Sequence, residues 1–311
     1  MNKRIFATKI GGLLWKVLRF VILVGLSYVI LYPVIYMVSM ALRSADQTMD
    51  PSVVWVPKYV VADNFIDAMQ GMKMWKSMGT TLVISLVSAM LQLVSCSLVG
   101  YGFARFKFKG SGVLFTLCLL TLIVPAQCIT IPLYFQYQNF SIPVIAPLLE
   151  SIAGITIPGI NLLDSWLVFW LQAMFGLGIR GGLYIYIFRQ FFLNIPYEIE
   201  EAALVDGAGY FKTFYRIMMP NASGSYLTVF LFSIVWYWND TFNSNMFITR
   251  KSTFAKALSS YVGKVGNGVN SYEGSPKRNA ACLLFIAPLL LMYMFLQKFF
   301  VQGVERTGIV G

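Results

Sequence analysis

Six apolar stretches, each long enough to cross a lipid bilayer, constrain this 311-residue chain more than any other feature. They run from Phe20 to Leu42, Thr80 to Ala104, Gly112 to Tyr134, Trp166 to Phe192, Gly224 to Phe247 and Asn279 to Phe300. A hydrocarbon core of about 30 Å takes roughly 20 apolar residues per helix. Composition agrees: 58% of residues are hydrophobic and 12% charged, against about 25% charged in soluble proteins, and the mean hydropathy is +0.68. The expected fold is an all-α membrane protein of six transmembrane helices, with both termini on one side.

Lys and Arg indicate which side that is. The first 45 residues hold Lys3, Arg4, Lys9, Lys16, Arg19 and Arg43 without an acid, and the second stretch is followed by Arg105, Lys107 and Lys109, also unopposed. Both groups belong in the cytoplasm. The segment from Tyr134 to Asp164 carries Glu150 and Asp164 but no Lys or Arg, as expected outside. The loop 243–278 disagrees, with Arg250, Lys251, Lys256, Lys264, Lys277 and Arg278 against Glu273; the alternation of six spans overrules it and places it outside. The N-terminal apolar run exceeds the 7–15 residues of a signal-peptide core and lacks a clean cleavage site, so it reads as a retained span. The expected organisation is a cytoplasmic segment 1–19, a transmembrane domain 20–300 and a cytoplasmic tail 301–311.

The net charge of +11 is spread over membrane flanks, which suits anionic lipid headgroups and argues against nucleic acid. Cys96, Cys118, Cys128 and Cys282 fall in or beside the spans without metal spacing, and His is absent, so they read as packing residues and no metal or cofactor is expected. The chain has no G-x-x-x-x-G-K-[ST] sequence for ATP, and no H-E-x-x-H or G-x-S-x-G for an intramembrane enzyme. A stand-alone secondary transporter or channel is the alternative class. It would usually show acid or His relays and repeat symmetry, neither of which is evident.

Between the fourth and fifth stretches lies a loop, 194–220, with its own pattern. Asn194 is placed to cap a helix, Pro196 suits its first turn, and Glu198, Glu200 and Glu201 crowd the end where the helix dipole favours acids. Ile199, Ala202, Ala203, Asp206 and Gly207 share one face of small side chains, and Gly207 and Gly209 end the helix. A second short helix follows, with Phe211, Phe214, Tyr215 and Met218 on one face, closed by Pro220. By itself this is an amphipathic surface loop or a docking projection.

The spacing of Glu201, Ala202, Ala203, Gly207, Ile217 and Pro220 resembles the EAA loop of bacterial ABC importer permeases, with Met219 replacing the usual Leu. Further segments in the same order are similar to the second permease of carbohydrate importers of the maltose type: LYPVIYMVSMALRS, LVGYGFARFKFKG, LIVPAQCITIPLY, FRQFFLNIP, WYWND and FVQGVERTGIVG. The resemblance implies the type I ABC importer permease fold, a place in a bacterial cell membrane and a subunit without ATPase activity. It implies as partners a second permease in a heterodimer, two ABC ATPase subunits, an extracellular solute-binding protein and a sugar. The loop then lies in the cytoplasm as the coupling helix: Glu201 pairs with a basic residue of the ATPase, Asp206 and Gly207 form the turn that fits its cleft, and the loop 243–278 reaches toward the binding protein.

An ionisable residue at membrane depth costs about 2.5–3.5 kcal/mol, so it usually faces a cavity or a partner. Arg180 is therefore a candidate for a structural or translocation-path role, or else snorkels to an interface, and Gly176, Gly178, Gly181 and Gly182 around it can open the helix or bring another helix close. Asn239 and Asp240 are further candidates, at the end of a span. Tyr134, Trp236 and Trp238 suit sugar stacking and aromatic belts equally. Two segments read as extramembrane: 140–164, with Pro143, Pro147 and Pro158, as an external cap, and GKVGNGVNSYEGSP as a flexible stretch.

Overall fold

The computed structural model describes residues 2–141, 151, 159–266 and 271–308. Among them every regular element is a helix, and Phe140 and Ile160 form an isolated antiparallel bridge. The expected external cap 140–164 lies mostly outside the described residues, as do 267–270 of the glycine-rich stretch and the last three residues of the tail. Among the described residues three helices are long and apolar enough to span a membrane, or up to five if each of two bent pairs counts as one span.

The chain forms two compact units, Met1–Met72 with Ser260–Ile286 and Lys73–Ser259 with Ala287–Gly311. In the first, α1 (Asn2–Ala41) is one continuous helix, so residues 2–19 run without interruption into the first span. Short helices α2 (Ala45–Met49) and α3 (Asp63–Gly71) follow. Arg43 lies beyond the C-terminal end of α1, opposite the cations at residues 3–19, and so does not belong in their tally. It is buried and donates to the carbonyls of Val53 at 2.9 Å and Val54 at 2.8 Å, and to Ser39 Oγ at 2.8 Å. Asn64 Nδ2 donates to the carbonyls of Ala41 and Arg43 at 2.9 and 2.7 Å, serving groups that a helix end leaves without intrahelical partners.

The second unit is built on α4 (Met74–Arg105), an unbroken helix. Its buried side holds a polar run: Ser77, Thr81, Ser85, Ser88, Gln92 and Ser95 recur at helical spacing, beside buried Ile84, Ala89 and Cys96, while Leu82, Val83, Leu86, Val87, Met90 and Val94 are exposed. Small hydroxyl side chains on the inner stripe let helices approach closely and bond across them, and apolar side chains outside suit lipid.

The third stretch is two helices, α5 (Ser111–Ile123) and α6 (Ala126–Gln138), bent by 99°. Pro125 is the cause, since it pushes the preceding residue out of the helical region, and Val124 has ψ 125°. The fourth stretch breaks between α7 (Leu167–Met174) and α8 (Gly181–Asn194). The chain continues through α9 (Tyr197–Val205), α10 (Tyr210–Thr213), a π-helical turn (Phe214–Met218) and α11 (Met219–Asn221), then turns by 78° into α12 (Ser223–Asn239). The fifth stretch therefore ends at Asn239, short of the expected Phe247, because the Asp240 carboxylate starts α13 (Phe242–Phe247) by accepting from the backbone N–H groups of Asn243 and Ser244 at 3.2 and 2.8 Å.

The loop 243–278 is largely helical among the described residues, with α13, α14 (Phe254–Gly266) and the start of α15 (Ser271–Gly308) in it, and the described parts of the stretch expected to be flexible, 263–266 and 271–276, are helical too. Its cations are partly engaged. Arg250 lies 3.8 Å from Asp164, Lys277 lies 2.5 Å from Asp67, Lys256 Nζ donates to the Ile248 carbonyl at 2.7 Å, and Lys251 sits over the Trp166 ring. These partners reduce the free positive charge that made the loop a topological exception.

Candidate functional site

The loop 194–220 is held against the bundle by a buried ion pair. Arg105, the last residue of α4, and Glu200, in α9, approach to 3.0 Å with side chains 2% and 7% exposed. Tyr101 donates its hydroxyl to Glu200 Oε1 at 2.5 Å. Arg105 donates to the Ile195 carbonyl at 2.7 Å, at the C-terminal end of α8, and its guanidinium stacks over Tyr197 at 4.2 Å. One cation thus ties α4, α8 and α9 together. A buried charge is tolerated only when paired and hydrogen-bonded, and both members of this pair are.

Aromatic rings extend the clasp. Tyr101 packs on Phe106, Phe192 and Phe214 at 5.7, 5.6 and 5.1 Å, and Phe106 meets Tyr210 at 5.4 Å. Phe214 and Met218 are buried, whereas Phe211 and Tyr215 are 75% and 62% exposed. The expected four-residue aromatic face is therefore split. Phe214 and Met218 point inward with Ala222, while Phe211 and Tyr215 share the outer face, in a segment where the π-helical turn departs from the assumed 3.6-residue period.

The small-residue face of α9 is split as well. Ala203 is buried, but Ile199, Glu201, Ala202, Asp206 and Gly207 are exposed. The helix starts at Tyr197 after Pro196, so Asn194 does not cap it and instead ends α8. Asp206 follows the last turn, Gly207 takes φ 78°, and Ala208 N–H returns to the Ala203 carbonyl at 3.0 Å. Positive φ is the reason glycine suits position 207. Ile217 is half-buried, and Pro220, expected to close the second helix, lies within its last turn. The outer surface of the loop thus combines Glu201 and Asp206 with exposed Val205, Phe211 and Tyr215, a combination suited to docking against a protein.

Arg180 lies at the break between α7 and α8, with φ 60°, and its guanidinium sits 4.3 Å from the ring of the half-exposed Trp236. Asn239 Nδ2 donates back to the Val235 carbonyl at 2.8 Å, and Asp240 is occupied with α13. Trp238 is buried against Phe254, and Tyr134 contacts Phe135. Among the cysteines Cys96 is buried and Cys128 exposed, so the packing role expected of all four does not extend to Cys128 within this chain. From sequence Arg105 reads as a topology signal and Glu200 as a helix-dipole acid, and no local pattern joins the two.

Residues 96–306 match the family model described as binding-protein-dependent transport system inner membrane component. The chain is 26% identical over 259 residues to the arabinooligosaccharides transport system permease AraQ of Bacillus subtilis, covering 82% of this chain and 81% of the relative. It is 25% identical over 265 residues to the melibiose/raffinose/stachyose import permease MelC of the same organism, covering 84% and 86%. Among solved structures, a chain of a bacterial ABC transporter involved in import of the acidic polysaccharide alginate superposes with a TM-score of 0.68 at 20% identity, covering 92% of this chain and 96% of that one.

Proposed function

Because the chain belongs to the family of binding-protein-dependent transport system inner membrane components, a multi-pass membrane family, we propose that it forms one half of the pathway of an ATP-driven importer of sugars or oligosaccharides. As a permease component it is not the catalytic part of the importer. Two separate ABC ATPase subunits supply the hydrolysis, a second permease completes the pathway as a heterodimer, and an extracellular binding protein delivers the solute. The named relatives transport oligosaccharides, which supports the substrate class.

In this reading the chain crosses the membrane six times, with the bent pair α5–α6, the broken stretch α7–α8 and the helix α12 each supplying one span. Residues 1–19 and 301–311 lie in the cytoplasm and 20–300 form the transmembrane domain. The loop 194–220 is the coupling loop, and 243–278 faces the binding protein. Glu201, Ala202, Ala203, Asp206, Gly207, Ile217 and Pro220 form the element that the ATPase engages: Glu201 offers a charge, and the turn at Asp206 and Gly207 enters the cleft. Arg180, Asn239 and Asp240 are the candidates along the path.

One observation carries the proposal: an exposed face of acids and large apolar side chains, on a loop whose other face is clamped to the bundle through Arg105 and Glu200. Such a loop transmits displacement because it cannot swing independently of α4. The test is Glu201→Lys and Gly207→Arg in the assembled transporter. Both variants are expected to reach the membrane but to lose co-purification with the ATPase, or ATP-dependent uptake. Unchanged capture and uptake in both contradicts the assignment.

A further inference from the structure

The break at Phe175–Arg180 is pinned from two sides by polar groups inside the bundle. Gln92, on α4, is fully buried. Its Nε2 donates to the Ile179 carbonyl at 3.1 Å, and its Oε1 accepts from Ser233 Oγ on α12 at 2.6 Å. Tyr237, also on α12, accepts from the Ile179 N–H at 3.3 Å. Both backbone groups of Ile179 are thereby satisfied by side chains. In hydrocarbon an interrupted helix persists only where neighbouring groups replace its lost hydrogen bonds. Space is closed as tightly as the bonds: a Cβ added at Gly178 would lie 2.5 Å from Tyr237 Oη and 2.6 Å from Gln92 Nε2.

Gln92 occupies a particular place on α4. It lies about 20 Å from Arg105 along the axis at 1.5 Å per residue, on a helix without proline or interruption. One rigid element therefore carries the clasp to the coupling loop at its end and the latch on the helix break near its middle. The residue after Ile179 is Arg180, in the left-handed region and stacked on Trp236. Whatever moves α4 along its axis pulls on the Ile179 carbonyl and with it on Arg180.

We infer that Gln92 is a positioning residue for transport, fixing the break to α4 so that displacement received through Arg105 and Glu200 reaches Arg180. The inference rests on the coupling reading above. A solvated partner or an apolar contact would not do the same work, because only a directional bond to the Ile179 carbonyl ties the two helices in both directions of movement.

The test uses the complete transporter, with its companion permease and ATPase subunits, and carries a reporter at Leu177→Cys, an exposed position in the break, with Cys128 replaced by serine. Maleimide labelling is compared in the absence of nucleotide and after vanadate trapping with ATP. With Gln92 present, the labelling rate is expected to change by about 5-fold or more between the two states. Gln92→Leu is expected to reduce that change to below about 2-fold while ATP hydrolysis stays within about 2-fold of the parent. Gly178→Ala, which displaces Gln92 and Tyr237, is expected to act in the same way, and Ser233→Ala, which leaves the bond to Ile179 in place, to retain the change.

The inference is overturned if Gln92→Leu and Gly178→Ala both keep the nucleotide-dependent change. It is also overturned if they lose it only together with ATP hydrolysis, which would mark Gln92 as a packing residue, or if the parent shows no change while the ATPase is bound. Failure of the parent to bind any ATPase is a different result, and it removes the coupling reading itself.

Discussion

Glu200 and Glu201 are neighbours in α9 with different surroundings: Glu200 is buried 3.0 Å from Arg105, and Glu201 is exposed on the outer surface of the same loop. Adjacent helical residues are about 100° apart around the axis, so one acid serves the inside of the protein and the other the outside. The loop can therefore be anchored and offered to a partner by two consecutive residues.

The anchoring half predicts an asymmetry between single and double substitutions. Glu200→Ala or Arg105→Ala leaves a buried charge without its partner, a loss of about 3–5 kcal/mol in such sites. Arg105→Met with Glu200→Leu removes both charges and is expected to recover most of that loss. Thermal unfolding of the detergent-solubilised protein measures both. Equal destabilisation by the single and double changes contradicts a paired role.

Phe214 should matter more than Phe211. Truncating a buried phenylalanine to alanine costs about 3–5 kcal/mol, and Phe214 sits between Tyr101 and Phe192. Phe211→Ala touches an exposed side chain and is expected within about 0.5 kcal/mol of the parent, with its effect appearing in capture of the ATPase instead. The same unfolding measurement, paired with co-purification, separates the two.

Asp164 predicts a pH response in the loop region expected outside. Its carboxylate accepts from the backbone N–H groups of Arg250 and Thr249 at 2.8 and 2.6 Å and from the Thr249 hydroxyl at 2.9 Å. The Arg250 N–H foremost, together with the Thr249 groups, holds it below the ordinary carboxylate value of 3.8. A depressed value means that the stabilisation is complete above about pH 4 and is lost as pH falls through the folded-state value. Hydrogen exchange at Thr249 and Arg250 should accelerate on acidification beyond the intrinsic trend. Asp164→Asn, which suits the left-handed backbone at φ 62°, should abolish that acid dependence.

Orientation is tested separately. In a background with the native cysteines replaced, a cysteine introduced between residues 266 and 275 is expected to react with a membrane-impermeant maleimide added to intact cells whose outer barrier has been opened. Reaction only from the cytoplasmic side would invert the proposed topology.

The apolar stretches make the helical class legible, and the acids, glycines and aromatics between Asn194 and Pro220 make the two-helix loop legible from the sequence. The interruptions were less so. Pro125 explains the bend between α5 and α6 from local chemistry, yet an apolar count passes over a single proline. The break before Gly181 is signalled by Gly176, Gly178, Gly181 and Gly182, which can open a helix, but the residues that hold it, Gln92 and Tyr237, are distant in the chain and no local pattern contains them. Glu200 was legible as an acid in a first turn, but its burial depends on Arg105, whose place among Lys107 and Lys109 reads as a membrane flank. The division of Phe211 and Tyr215 from Phe214 and Met218 was hidden because periodic reading assumes an α-helix through a π-helical turn.

Site-specific photocrosslinking from the coupling loop probes the central claim most directly. A photoreactive phenylalanine at position 211, in the assembled transporter, is expected to join this chain to the ATPase subunit, while the same probe at the inward-facing position 214 stays within the chain. Crosslinking from position 211 to lipid or to the extracellular binding protein, with none to the ATPase, would contradict the account.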